Sequence, residues 1–189
     1  MTGLYDSSTQ PEAMYPIKNP ILHFTMQFYS ERLRYEKFTP DHFEDYFRLV
    51  SRQDVMVYIS GTGLDMDGAR KRFERSLRAD GQQNNMGFVA VYEQASDLYV
   101  GLGKIVPFED GFTELGYALL PEFWGRGYAS EITRRLIAYA RGCGSVESLV
   151  ALVAPENQAS INVLTKQQFR FFREVPEGDV VRHDYILDL

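Results

Sequence analysis

Two glycines around an arginine, Gly125-Arg126-Gly127, stand between an apolar run that ends in Leu119-Leu120-Pro121 and a helical pattern that starts near Ala129. Glycine at the start of a helix costs stability unless the backbone must turn left-handed or come close to another molecule. A strand, a glycine turn and a helix N-terminus together aim several unpaired N–H groups and the positive end of the helix dipole at one point. An anion binds at such a point. The stretch Gly125, Arg126, Gly127, Tyr128, Ala129, Ser130 is therefore a candidate cradle for a phosphate or pyrophosphate.

Two familiar phosphate patterns do not fit it. No G-x-x-x-x-G-K-[ST] occurs in the chain. The dinucleotide fingerprint G-x-G-x-x-G finds Ser130 at its third glycine, and the acid about twenty residues on, Glu147, falls at the start of the next strand instead of its end. Other reactive side chains are sparse. Cys143 is the lone cysteine, between Gly142 and Gly144 in what reads as a turn after a helix, so it forms no internal disulfide and looks unlike an activated nucleophile. His23, His42 and His183 lack neighbours at metal-ligand spacing, and no metal site is expected.

The elements that must position this loop follow from periodicity. Alternating Leu22, Phe24, Met26 and Phe28, continued by Leu33 and Tyr35, predict strand structure up to Phe38. Thr39-Pro40-Asp41 reads as a helix start, with the helix running to about Ser51. A short helical piece is expected from about Asp54 to Ile59, and a helix from about Asp65 carries Ala69, Phe73 and Leu77. Segments 86–93, 98–106 and 112–120 then alternate as a three-strand meander. After the glycines, Ala129, Ile132, Leu136 and Ala140 recur at helical spacing until Gly142. The apolar run 149–154 reads as a strand covered on both faces. A helix over about Gln158 to Lys166 and strands near Phe169–Glu174 and Val180–Leu187 close the chain.

Composition narrows the class. A chain of 189 residues, 44% hydrophobic and 24% charged, fits a single globular domain over 21–189, preceded by an irregular arm at 1–20 that holds Pro11, Pro16 and Pro20. No run approaches a membrane span and the first residues lack a signal-peptide pattern, so a cytoplasmic protein with no membrane partner is expected. A net charge of −6 argues against a nucleic-acid partner and is compatible with an amine-bearing one. A homodimer is left open.

Trp124-Gly125-Arg126-Gly127-Tyr128-Ala129 resembles the acetyl-CoA motif of the GNAT N-acetyltransferases, [Q/R]-x-x-G-x-[G/A], with Trp124 departing from its first position. The wider ELGYALLPEFWGRGYASEI is similar to the ribosomal-protein N-terminal acetyltransferase-like (RimJ/RimL-like) branch. Residues 30–49 resemble that branch's opening strand and helix, and PENQASINVLTKQQF at 155–169 its N-x-x-S segment. The match covers roughly residues 26–187, with Gln168 standing where the family usually has glycine.

The resemblance implies an α/β fold of three layers, with a twisted, mixed, mostly antiparallel sheet of about seven strands. The sheet would split between the 112–120 and 149–154 strands to admit acetyl-CoA. It implies that the N–H groups from Gly125 to Ser130 hold the pyrophosphate and that backbone at Tyr117, Ala118 and Leu119 pairs with the pantetheine arm. Asn157 matches a cofactor contact and Ser160 a hydroxyl near the sulfur. The tyrosine acid of many relatives is replaced by Leu164 and the glutamate base of some by Leu152. Ser160 is then the candidate acid and Glu114 the candidate base, directly or through water.

Plainer roles stand beside these. Ser160 can cap the helix after Asn157, Asn157 can be a turn residue, Glu114 a solvated strand residue, and Trp124 and Tyr128 packing residues. The expected reaction is direct acetyl transfer to a primary amine, a peptide N-terminus first. A polyamine, antibiotic or amino-acid acceptor, or a non-catalytic acyl-CoA-binding module, is the alternative.

Overall fold

The computed structural model describes residues 28–79, 86–178 and 180–189. The expected arm at 1–20, the strand residues Leu22 to Met26, and His23 lie outside them. Eight strands form one sheet in the order β1-β2-β3-β4-β5-β6-β8-β7. They are β1 Phe28–Tyr29, β2 Leu33–Lys37, β3 Gly87–Glu93, β4 Tyr99–Pro107, β5 Thr113–Leu119, β6 Ser148–Val153, β7 Arg170–Glu177 and β8 Val180–Asp188. Every neighbouring pair is antiparallel except β5 and β6.

The eighth strand arises because the first expected one is broken at Ser30–Arg32. There the Ser30 N–H bonds the Leu33 carbonyl at 2.9 Å, and the chain reverses so that Phe28 faces Tyr35. A helical turn at Pro40–His42 precedes α1, Phe43–Val50. His42 is used in that turn, its Nδ1 accepting from the Thr39 N–H at 2.9 Å. Helices α2, Gln53–Met56, and α3, Met66–Ala79, follow, and α4, Tyr128–Cys143, and α5, Gln158–Lys166, come after the meander.

Strand alternation assigns the helices to two faces. A Cβ at Gly103 would lie 3.1 Å from Leu136 of α4, so odd-numbered β4 residues face α4. Their register partners Leu115, Tyr117 and Leu119 share that face, whereas Leu102, Lys104, Glu114 and Gly116 look toward α1–α3. The core is continuous through the sheet, from Leu49, Met56 and Phe73 on one side to Ile132, Leu136 and Leu164 on the other.

Helix α4 continues past Gly142, the expected stop. Gly144 takes the left-handed conformation, φ 65°, and its N–H bonds the Arg141 carbonyl at 3.3 Å. Gln168 likewise has φ 68° just after α5, a conformation that favours glycine and that this chain fills with a side-chain-bearing residue.

Candidate active site

β5 runs through Leu120 and a helical turn at Pro121–Phe123 into the glycine loop. The Trp124 indole N–H donates to the Leu119 carbonyl at 2.9 Å, and the Trp124 backbone N–H to Pro121 at 3.0 Å, so the loop's start is anchored at both levels. Gly125 and Gly127 have φ 71° and 80°, and Gly127 is the residue from which α4 springs. A Cβ at Gly125 would meet nothing within 4 Å, and one at Gly127 only the Arg32 guanidinium at 3.6 Å. Crowding inside the chain therefore does not demand these glycines. They permit the left-handed turn and leave bare backbone facing outward.

The first bond of α4 joins the Glu131 N–H to the Gly127 carbonyl at 3.1 Å. Among the described residues the N–H groups from Gly125 to Ser130 have no acceptor. Six such groups at the positive end of a helix of 16 residues suit the two phosphates of a pyrophosphate.

The loop is braced by a pair that spacing did not reveal. Arg32, in the turn between β1 and β2, donates through Nε to Glu131 Oε2 at 2.8 Å and through Nη1 to the Arg126 carbonyl at 3.0 Å. Glu131 also accepts from the Arg32 N–H at 2.8 Å and from Ser30 at 2.6 Å. Burial works against the Glu131 charge, but the bonds from Ser30 and Arg32 and the Arg32 charge outweigh it and hold the carboxyl below its ordinary value. Read alone, Glu131 is an ordinary acid in a first helical turn. Tyr128 is a buried packing residue whose hydroxyl donates to Glu93, with Arg32 4.3 Å above its ring.

The sheet opens beside this loop. The parallel pairing of β5 with β6 covers only Thr113 with Leu149 and Glu114 with Val150, after which Leu115 to Leu119 pair with β4 alone. The gap belongs to a cleft of about 1030 Å³ whose walls include Tyr117, Ala118, Leu152, Ser160 and Leu164. Asn157 caps α5, its Oδ1 accepting from the Ser160 N–H at 3.1 Å, which leaves the Ser160 hydroxyl clear of the capping role. That hydroxyl receives a hydrogen bond from the Tyr117 phenol at 3.3 Å. Burial pushes the Tyr117 hydroxyl up, opposed by the bond to Ser160.

Glu114 lines the same cleft from the other sheet face. It is buried, and its Oε1 lies 2.5 Å from Lys104 Nζ. The Lys104 stem crosses Gly116, where a Cβ would come within 2.6 Å of its Cε. Glycine at 116 thus gives the lysine its path to Glu114. The second Glu114 oxygen has no partner among the described residues. Cys143 is far from this arrangement in role: burial pushes its thiol up, and it does not line the cleft.

The structure therefore brings together Tyr117, Ala118, Ser160 and Glu114 in one cleft, with Gly125–Ser130 at the start of α4 beside the open edge of β5, Asn157 at the start of α5, and the Leu119 carbonyl bonded to Trp124. The arrangement can hold a long, anionic, thread-like molecule between β5 and β6 and present its inner end to groups on both faces. Among the described residues no group of three or more His, Cys, Asp or Glu is disposed to hold a metal ion, and no helix is long and apolar enough to cross a membrane.

A family model described as an acetyltransferase (GNAT) domain matches residues 32–170. Among curated proteins, the chain is 29% identical over 146 residues to the uncharacterized N-acetyltransferase p20 of Bacillus licheniformis, covering 75% of this chain and 81% of that one. Among solved structures it is similar to an acetyltransferase of Salmonella typhimurium that modifies the N-terminal serine of ribosomal protein L7/L12, with a TM-score of 0.71 and 16% identity over 85% of this chain and 96% of that one. It is similar also to spermidine N-acetyltransferase from Vibrio cholerae in complex with CoA and spermine, with a TM-score of 0.70 and 14% identity over 84% of this chain and 96% of that one.

Proposed function

This chain belongs to the GNAT acetyltransferase family, and from that footing we propose that it transfers the acetyl group of acetyl-CoA directly to an α-amino group such as a peptide N-terminus. The observation that carries the reading is the opening of the sheet beyond Glu114 and Val150, with unpaired N–H groups near one end and the Tyr117–Ser160 pair near the other. Acetyl-CoA supplies a thioester whose acyl carbon the amine attacks. The N–H groups of Gly125 to Ser130 bind its pyrophosphate, and the open edge of β5 at Tyr117 and Ala118 takes the pantetheine arm, with Asn157 alongside. Trp124 holds the Leu119 carbonyl and so fixes where that edge ends. Holding both reactants in line is the protein's first contribution.

Proton handling is the second. The incoming ammonium must lose a proton before it attacks, and the departing sulfur must gain one. Ser160 Oγ donates to the sulfur and is resupplied by the Tyr117 hydroxyl that bonds it. Glu114 accepts from the amine, directly or through water, with the carboxylate oxygen that Lys104 leaves open.

The acceptor choice follows from the amine's own chemistry. At pH 7 a lysine amine near 10.4 costs ~4.6 kcal/mol to deprotonate, and an α-amine near 7.7–8.0 only ~1. With the proposed base, Glu114, already bonded to an ammonium, the more easily deprotonated nucleophile is favoured. Structural neighbours act on both classes, a protein N-terminus and a polyamine. A panel of amines assayed for CoA release tests the reading. Short peptides with free α-amines should turn over faster at pH 7 than lysine side chains or spermidine, and Glu114→Gln should slow the reaction at pH 7 and regain part of the rate at pH 9. Faster acetylation of polyamines than of every α-amine, or a Glu114→Gln profile that matches wild type, overturns it.

A further inference from the structure

The lining of the cleft includes one cation that no carboxylate of the chain meets among the described residues. Its charged members are the cations Arg72, Lys104 and Arg182 and the carboxylates Glu114, Glu156 and Glu177. Lys104 is bonded to Glu114 at 2.5 Å. Arg182 is bonded to the fully buried Asp184 at 2.8 Å and to Glu177. Arg72 is the exception: among the described residues no carboxylate or other acceptor meets its guanidinium.

Two observations place that guanidinium against the cleft. Arg72 is half-buried on α3 and forms part of the cleft wall. Its charge also reaches the Tyr46 hydroxyl, which burial pushes up and which Arg72, then Arg75, pull back down. Tyr46 lines the same wall.

An unpaired, partly desolvated guanidinium repels a second cation and offers a planar fork of donors that matches a carboxylate in two parallel bonds. A ligand that carries a carboxylate supplies the partner the chain does not. Of the lining carboxylates, Glu114 and Glu177 are already bonded to cations of the chain, so among the described residues only Glu156, exposed in the turn before α5, is left to attract a polyamine.

We propose that the acceptor is an amine that carries a carboxylate, bound by Arg72 while the amine points toward Glu114. The inference rests on the acetyl-transfer reading of the cleft. The carboxylate can be the α-carboxylate of a free amino acid or the side chain of an acidic residue close to a peptide N-terminus. No bond to Arg72 is made or broken in the reaction; it is a specificity-determining residue.

The test uses matched pairs of acceptors that differ in that charge, with rates compared per fraction of neutral amine because the amine of a free amino acid is more basic than that of its amide. Free amino acids are compared with their amides, and short amidated peptides beginning with Asp or Glu with those beginning with Asn or Gln. Hydrogen bonds to charged groups are the stronger class, so the acidic member of one pair should be favoured ~10-fold or more in kcat/KM. Which pair shows the preference identifies the source of the carboxylate. Arg72→Gln should remove the preference through KM, leave the neutral members near wild type, and leave heat protection by acetyl-CoA unchanged. As a readout independent of turnover, carboxylate-bearing acceptors should add heat protection to CoA-saturated protein and their amides should not, with the difference lost in Arg72→Gln. If wild type does not distinguish acid from amide, or Arg72→Gln distinguishes them as well as wild type does, the proposal is wrong. Acetylation of the ε-amine of free lysine but not of lysine amide would keep the carboxylate requirement and reject the α-amine reading.

Discussion

At the scale of residues, the inner end of the cleft joins two hydroxyls to which the family resemblance gave different duties. Tyr117 stood out only for its backbone and Ser160 only for its hydroxyl, yet the phenol donates to the serine at 3.3 Å. Ser160→Ala removes the group proposed to protonate the sulfur and should cut turnover ~10²-fold or more. Tyr117→Phe keeps the serine and loses only its supply, so a smaller fall is expected, with acetyl-CoA binding unchanged in both. Single-turnover rates and acetyl-CoA titrations check this; a Ser160→Ala enzyme at wild-type speed would remove the serine from the mechanism. The proposed roles of Ser160 and Asn157 came from the family resemblance, while the glycine turn and the helix starts were legible in the residue pattern because each is a local feature. Arg72 and Arg32 were not, since their meaning depends on partners, or their absence, many residues away. Glu114 was legible as a charged strand residue, but its burial against Lys104 was not, because the gap over Gly116 that admits the lysine forms only when β4 and β5 pair.

At the scale of elements, the loop before α4 depends on the turn between β1 and β2. Glu131 joins them, and its carboxyl is held below the ordinary range. The sign of the pH dependence follows: the folded value lies beneath the unfolded one, so this contribution to stability is complete above the unfolded value, ~4.3, and disappears as pH falls through the folded value. Wild type should therefore melt higher than Glu131→Gln at pH 7, and the two melting curves should converge in acid. Parallel curves from pH 7 to pH 3 would mean that the carboxylate does not brace the loop. Periodicity located α3, α4 and α5 well because each buries one apolar stripe, as Ile132, Leu136 and Ala140 do in α4. It did not locate the break at Ser30–Arg32, since alternation continues across it and the break is stabilised by side chains reaching a distant helix. The sequence pattern ends α4 at Gly142, two residues early, because the left-handed conformation that ends the helix belongs to Gly144.

At the scale of the whole molecule, the sheet is antiparallel on both sides of one short parallel seam. The strand order was legible in outline because the 86–120 meander and the apolar 149–154 run leave few topologies, and the α4 crossover makes the one parallel neighbour. The depth of the seam was not legible, since it is set by strand twist and helix packing. Strand alternation puts Tyr117 on the α4 face and Glu114 on the α1–α3 face, so the proposed acetyl-CoA and amine reach the seam from opposite sides of the sheet. Two molecules that use different doorways need not queue. Neither order of addition is blocked, and initial-rate plots should show intersecting lines, with free CoA competing against acetyl-CoA alone and the acetylated product against the amine alone. A compulsory order, revealed by CoA failing to bind until the product has left, would mean that the two doorways communicate.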